Sequence, residues 1–299
     1  MEMIEINYRR EKKPLPVQNA IVEIGFGNGD FLLKHAMENP DRFHIGFEIS
    51  GISISKIVKK AKRLGLSNLR VARIDAYWGF YLLLRNESVE TAYMNFPDPW
   101  PKKRHTARRL TNLENLFLFH SRIKSGGALV LKTDERFFVD YTIENAQEMG
   151  GWRWELEENA ISETPTKYEK KWIQQGKTIY RLILQKAGQP SKEIKIRHLK
   201  EVSEVPHMKT ETPRFYPEEL PGKVFRLPNT TVAKFFNLWR RDEEYLLETL
   251  LVENGYEHYF MTRFRRKDGK WVIGVSPFSE VLKTEGIRDL VLWLSGREL

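Results

Sequence analysis

The chain has 299 residues, enough for one large domain or two ordinary ones. Its 49 Lys and Arg against 40 Asp and Glu leave a net charge of +9, which favours an acidic partner, nucleic acid being the commonest. Cysteine is absent, so disulfides and thiolate metal sites are excluded and no metal is expected; with Met1–Lys13 charged and polar and no long apolar run, a soluble, cytoplasmic protein is expected.

In chain order, Ile21–Ile24 is a short apolar run ending in glycines, as a buried parallel strand does. A helical pattern runs from about Asp30 to Met37 and closes at Asn39-Pro40. Phe43–Ile49 reads as the second strand, Ile54–Leu64 as a helix ended by Gly65, and Leu69–Ile74 as the third strand. Thr91–Asn95 is a fourth strand, Leu110–Ile123 a helix, Gly126-Gly127 a turn, and Ala128–Lys132 a fifth strand. Helix Phe137–Glu148 and a late strand at Thr178–Gln185 follow. This alternation predicts an α/β domain with a mostly parallel sheet and helices on both faces.

Ala187-Gly188-Gln189-Pro190-Ser191 reads as a linker, which predicts domains at 1–188 and 189–299. Beyond it the alternation stops. Val232–Leu251 has apolar residues at helical spacing, Glu257–Phe264 and Trp271–Val275 flank Asp268-Gly269 as a hairpin, and Ser279–Leu294 reads as a helix. The tail is therefore expected to be a small α+β domain that extends a nucleic-acid-binding surface or stabilises the fold.

The turn Val22-Glu23-Ile24-Gly25-Phe26-Gly27-Asn28-Gly29-Asp30 joins the first strand to the first helix. Glycines allow a tight turn and close approach of a ligand to the backbone. The dinucleotide fingerprint would need a glycine where Asp30 stands. Glu23 and Asp30 would also repel a phosphate, so a ligand with an ammonium group and no phosphate fits better, and S-adenosylmethionine is one. Glu48 ends the second strand about 20 residues after the glycines, where a carboxylate can accept from both ribose hydroxyls. Asp75 ends the third strand; it can accept from an adenine amino group or cap the following helix.

After the fourth strand comes Asn95-Phe96-Pro97-Asp98-Pro99-Trp100-Pro101-Lys102-Lys103-Arg104-His105, running on to Arg108-Arg109. Its prolines predict a stiff, extended loop that holds Asp98 and Trp100 without a large ordering cost. The cations Lys102, Lys103, Arg104, Arg108 and Arg109 suit a phosphate backbone beside it. Trp100 can stack on a base or pack beneath the loop. Asp134, at the end of the fifth strand, can orient a base or a basic side chain, or cap the next helix. Thr164–Trp172 is a polar, aromatic and basic loop able to close over a base.

Taken together, the glycine turn, the loop Phe96–His105 and Thr166-Lys167-Tyr168-Glu169 resemble the bacterial tRNA (guanine-N7-)-methyltransferase family over roughly Pro14 to Lys186. The resemblance implies a Rossmann-like class I methyltransferase fold and transfer of a methyl group from S-adenosylmethionine to N7 of guanine 46 in the tRNA variable loop. It implies cofactor contacts at Glu23, Gly25, Gly27, Glu48, Asp75 and Asp98, with Asp98 catalytic. Lys102, Asp134, Thr166, Lys167, Tyr168 and Glu169 would contact substrate. The tail after Pro190 lies outside the usual pattern of that family. Two rivals come from other classes: an exocyclic amino methyltransferase, whose loop Asn95–Trp100 loosely echoes, and a nonenzymatic RNA-binding protein that keeps a methyltransferase fold.

Overall fold

The computed structural model describes residues 4–11, 14–160, 175–228 and 230–299. They fall into two compact units, Met1–Ile196 and Arg197–Leu299. The stretch read as a linker is hydrogen-bonded onto the first unit: the Ala187 N–H donates to Gly151 O at 2.9 Å and the Ser191 N–H to Met149 O at 2.8 Å. The division accordingly falls after Ile196.

The first unit opens on a short helix α1 (Tyr8–Glu11) and is built on β1 (Ala20–Ile24), β2 (His44–Glu48), β3 (Leu69–Arg73), β4 (Val89–Asn95), β5 (Ile123–Thr133), β6 (Trp152–Glu158) and β7 (Tyr180–Lys186). Between them lie α2 (Asp30–Glu38), α3 (Gly51–Arg63), α4 (Ala76–Leu83), α5 (Leu113–Arg122) and α6 (Arg136–Met149). The sheet order is β3-β2-β1-β4-β5-β7-β6. The first five strands run parallel, and β7 is antiparallel to both β5 and β6. Strand order reverses between β1 and β4, the place where open α/β sheets bind ligands beyond the carboxyl ends of their strands.

The elements α4 and β6 lie outside those expected from the sequence. In α4, Ala76–Phe80 and Leu83 are all buried, so apolar residues surround the helix and no stripe marks it. In β6 the alternation is carried by Trp152, Trp154 and Leu156 between charged residues, with Trp154 exposed. Gly126-Gly127 is a bulge within β5 and not a separate turn: pairing passes from Val89–Ile123 to Thr91–Ala128, and Gly126 has φ +75°. A Cβ on Gly127 would stand 2.5 Å from Glu90 O, so the sheet neighbour enforces that glycine.

Packing under α2 brings half-buried His35 Nδ1 within 2.8 Å of buried His44 Nε2. Burial lowers both histidines and brings His44 down to about 4, so one neutral ring donates and the other accepts.

The second unit is a six-stranded antiparallel sheet, in the order β8 (Met208–Thr210), β13 (Lys270–Val275), β12 (Tyr256–Lys267), β11 (Glu244–Glu253), β10 (Val232–Arg241), β9 (Val224–Arg226). One helix, α7 (Glu285–Leu294), packs Ile287, Leu290 and Leu294 into the sheet core with Phe235, Leu247, Leu251, Phe264 and Ile273. The helix expected over Val232–Leu251 is instead the β10–β11 hairpin. Leu246, Leu247, Leu250 and Leu251 fit either period, because i, i+1, i+4, i+5 is a helical stripe and also both faces of a strand. The buried residues of β11 alternate strictly, from Tyr245 to Glu253. The hairpin at Asp268-Gly269 is as expected, and the last helix begins at Glu285 and not Ser279. Buried Glu253 pins that helix: its Oε1 accepts from the Gly286 N–H at 3.1 Å and its Oε2 lies 3.3 Å from His258 Nε2.

Candidate functional site

Five acidic residues stand at or just past the carboxyl ends of the five adjacent parallel strands: Glu23 on β1, Glu48 on β2, Asp75 after β3, Asp98 after β4 and Asp134 after β5. Neighbouring strands are about 4.8 Å apart, so one edge of the sheet gathers carboxylates separated by up to 111 residues of chain (Glu23 to Asp134).

Glu23 is almost fully buried, at 3% exposure. Its Oε1 accepts from Asn95 Nδ2 at 2.9 Å, and its buried Oε2 meets no hydrogen-bond partner among the described residues. Desolvation by burial, aided by the nearby charges of Asp30 and Glu48, raises its carboxyl to about 7 against the pull of the Asn95 side chain and the Leu32 backbone N–H. A buried oxygen without a donor is costly, and a ligand ammonium would satisfy it.

Glu48 organises the turn beside it. Its Oε2 accepts from the Gly27 N–H at 2.9 Å, and its Oε1 from the Ile49 and Ser50 N–H groups at 2.8 and 2.9 Å. A carboxylate offers about four lone-pair sites and these backbone bonds fill three, so they orient the group and leave one site, on Oε2, for a hydroxyl. Gly27 itself has φ +53°, a left-handed conformation that favours glycine. Asp75 caps α4, with Oδ1 accepting from the Tyr77 N–H at 2.9 Å, so of its two expected roles the capping one is present in the fold.

The proline loop leaves β4 with the Phe96 N–H donating to Lys132 O at 2.8 Å. Neither helix nor strand forms from Pro97 to Pro101, and a 3-10 turn takes over at Lys103–Arg108. Phe96 and Trp100 have φ of +53° and +48°, conformations that side chains resist by roughly 1–2 kcal/mol each. Such strain persists only where surrounding contacts over-determine it. Arg109 supplies those contacts: its Nε donates to Trp100 O at 3.1 Å, and its guanidinium lies over Tyr141 at 4.4 Å and Phe137 at 5.4 Å. Only 7% exposed, Arg109 cannot face a phosphate backbone, and that expectation is corrected: it holds the loop from beneath. Lys102, Arg104 and Arg108 are exposed, and Arg108 covers the Trp100 ring at 4.9 Å. Asp98 sits exposed at the loop's crest, with no hydrogen-bond or ion-pair partner among the described residues.

Asp134 caps no helix. It pairs with Lys177, and Glu135, not Asp134, precedes α6. Thr166, Lys167, Tyr168 and Glu169 lie outside the described residues. Three residues of the site escaped sequence reasoning: Asn95, which joins the glycine turn to the proline loop; Lys177, the partner of Asp134; and the holding role of Arg109. Among the described residues no cluster of His, Asp and Glu could hold a metal ion, and no helix is long and apolar enough to cross a membrane.

The strand order and its carboxylate-lined ligand edge define a class I S-adenosylmethionine-dependent methyltransferase fold, with a separate β-rich C-terminal subdomain. A family profile described as "Putative methyltransferase" matches residues 17–182. The chain is 43% identical over 285 residues to the tRNA (guanine-N(7)-)-methyltransferase of Aquifex aeolicus, covering 95% of each. It is 33% identical over 275 residues to the enzyme of the same name from Thermotoga maritima, covering 90% of this chain and 85% of that one. With the Chlorobium phaeobacteroides protein of that name it shares 34% over 168 residues, 56% of this chain and 81% of the relative. This chain therefore belongs to the bacterial tRNA (guanine-N7-)-methyltransferase family. The matches to the first two relatives extend well past residue 190, so the tail is shared with them, whereas the family profile ends at residue 182 and the Chlorobium match covers 56% of this chain, as expected of a segment outside the usual family pattern.

Proposed function

We propose that this protein transfers a methyl group from S-adenosylmethionine to N7 of a guanine in tRNA, at position 46 of the variable loop, in the cytoplasm. Identity of 43% across 95% of a guanine-N7 tRNA methyltransferase carries the reaction and the substrate class. The acidic strand ends support the assignment of residues.

The cofactor supplies an electrophilic methyl group on a sulfonium. Everything else is asked of this chain. Guanine N7 carries a free lone pair, so no side chain has to remove a proton before the new bond forms. The ring becomes cationic as it does so, and the requirement is alignment together with negative charge near the base. Asp98, exposed on a loop locked by Arg109 and by its own prolines, offers a fixed carboxylate that can accept from the guanine N1–H and amino edge and favour the cationic ring. Glu23, with one oxygen on Asn95 and the other lacking a donor, suits the cofactor's ammonium group, and Glu48 suits its ribose. Asp75, just past the end of β3, would accept from an adenine amino group, and Gly25 and Gly27 leave open space around their Cα atoms for a ligand. Lys102, Asp134 and the segment Thr166 to Glu169 would contact the guanine or its neighbours; Arg104 and Arg108 would lie along the phosphates.

A tRNA transcript with adenine in place of guanine 46 tests the site. Labelled methyl incorporation is expected to fall to background with that transcript and to persist with the parent. Equal incorporation into both would place the methylated base elsewhere.

A further inference from the structure

Between Glu48 and Asp75 the chain contains no Asp or Glu and seven Lys or Arg, against a net charge of +9 for the whole molecule. Most of these cations lie on α3. That helix buries Ile54, Ile57 and Ala61 toward the sheet and turns Lys56, Lys59, Lys62 and Arg63 outward. Three of the seven are already engaged. Lys60 bonds Asp30 at 2.7 Å and Asn28 O at 3.2 Å, Arg70 donates to the carbonyls of Ser67 and Leu69, and Arg73 donates to Ile49 O at 3.2 Å. Lys56, Lys59, Lys62 and Arg63 are exposed and meet no hydrogen-bond or ion-pair partner among the described residues.

The helix gains little from this arrangement by itself. Lys62 and Arg63 lie in its last turn, where they favour the macrodipole, but Lys56 and Lys59 do not. Lys56 stands at i+3 and i+4 from Lys59 and Lys60, and Lys59 from Lys62 and Arg63, and like charges at those spacings oppose helix formation. No acidic residue on the helix relieves them. Beside it runs a groove of about 390 Å³ lined by Lys59, Lys62, Arg73, Ser55 and the apolar Ile54 and Val58, with Glu5 as its one carboxylate.

Position adds the second argument. Ile57 of α3 packs against the glycine turn so closely that a Cβ on Gly29 would come within 2.5 Å of it. α3 connects β2 to β3, on one side of β1, whereas the proline loop leaves β4 on the other side. Cations therefore flank the proposed cofactor turn from both directions, with Asp98 on the proline-loop side.

We propose that the outward face of α3 is a second phosphate-binding surface, which holds the sugar-phosphate backbone of the tRNA substrate on the side of the cofactor turn opposite the proline loop. This rests on the tRNA reading above. An extended polyanion gripped on both flanks presents its base to the centre with less freedom than one held by the loop alone, and the charge complementarity selects phosphate without reading sequence.

The test is the full-length triple variant Lys56→Gln, Lys59→Gln, Lys62→Gln, with tRNA affinity measured across a salt series. The dissociation constant is expected to rise at least about tenfold near 0.1 M salt, and the slope of its logarithm against log salt to fall by about 2, since each lost phosphate contact removes roughly 0.7–0.9. Cofactor affinity by calorimetry should be unchanged. A dissociation constant within about twofold of the parent with an unaltered slope would overturn the proposal. In the unsubstituted protein, tRNA should shield these three lysines from acetylation, read by peptide mass spectrometry; equal labelling with and without tRNA would also overturn it, whether or not the variant folds. Methyl transfer by the unsubstituted protein separates the two failures. Without transfer to tRNA the underlying reading falls; with transfer and unchanged variant binding only this surface does.

Discussion

Replacing Asp98 with alanine is expected to lower kcat for tRNA methylation by at least about 100-fold, the scale of losing a preorganised electrostatic partner of the transition state. The side chain is exposed and engages no described neighbour, so the fold should not change, and the melting temperature should stay within a degree or so of the parent. tRNA affinity should hold within about threefold, because the phosphate contacts proposed for the exposed Arg104 and Arg108 do not involve the carboxylate. A variant that turns over at the parental rate would remove Asp98 from the mechanism. Arg109 should not be combined with it or with the surface arginines in such tests: its guanidinium holds Trp100 and Pro101, so its loss disturbs the loop and not the phosphate contacts.

Glu23→Gln is expected to weaken cofactor binding by about 10- to 100-fold, corresponding to loss of a hydrogen bond to a charged group. The substitution keeps an oxygen for Asn95, so the link from β1 to β4 survives and only the charge is lost. The unsubstituted protein should show a further signature. Burial raises the Glu23 carboxyl to about 7, with Asp30 and Glu48 facing it and Asn95 donating to it. An ammonium ligand favours the ionised form, so binding releases a proton below pH 7, and affinity should climb about tenfold per pH unit up to about 7 and level off above. The Gln variant should lack this rise. The sign for stability is opposite. A carboxyl raised from 4.5 to about 7 by folding contributes stability that is fully present below 4.5 and lost as pH rises through 7, so the cofactor-free protein should lose stability between about pH 4.5 and 7 and no more above. Calorimetric titrations at pH 6, 7 and 8 in buffers of different ionisation enthalpy measure both affinity and proton release. A flat profile shared by both proteins would take Glu23 out of the ammonium site.

Local signals carried the first unit well. The glycine turn and proline loop are short-range patterns whose backbone consequences follow from residue type, and the strands that deliver them alternate with helices of ordinary length. Where the signal is long-range it vanished from view. The bond between Glu23 and Asn95 spans 72 positions, and the burial of Arg109 depends on Phe137 and Tyr141, which arrive from α6. Nothing in a basic run distinguishes the one guanidinium that folds inward. In the second unit the leucine pairs of β11 satisfied two periods at once, and only pairing with β10 and β12 resolves them.

Nucleoside analysis of unmodified tRNA incubated with the protein and labelled S-adenosylmethionine tests the central claim most directly. All label should elute as 7-methylguanosine, at about one methyl group per tRNA. Label on an exocyclic amino group, or none at all with intact cofactor binding, would contradict a guanine N7 meeting its methyl donor at this acidic edge.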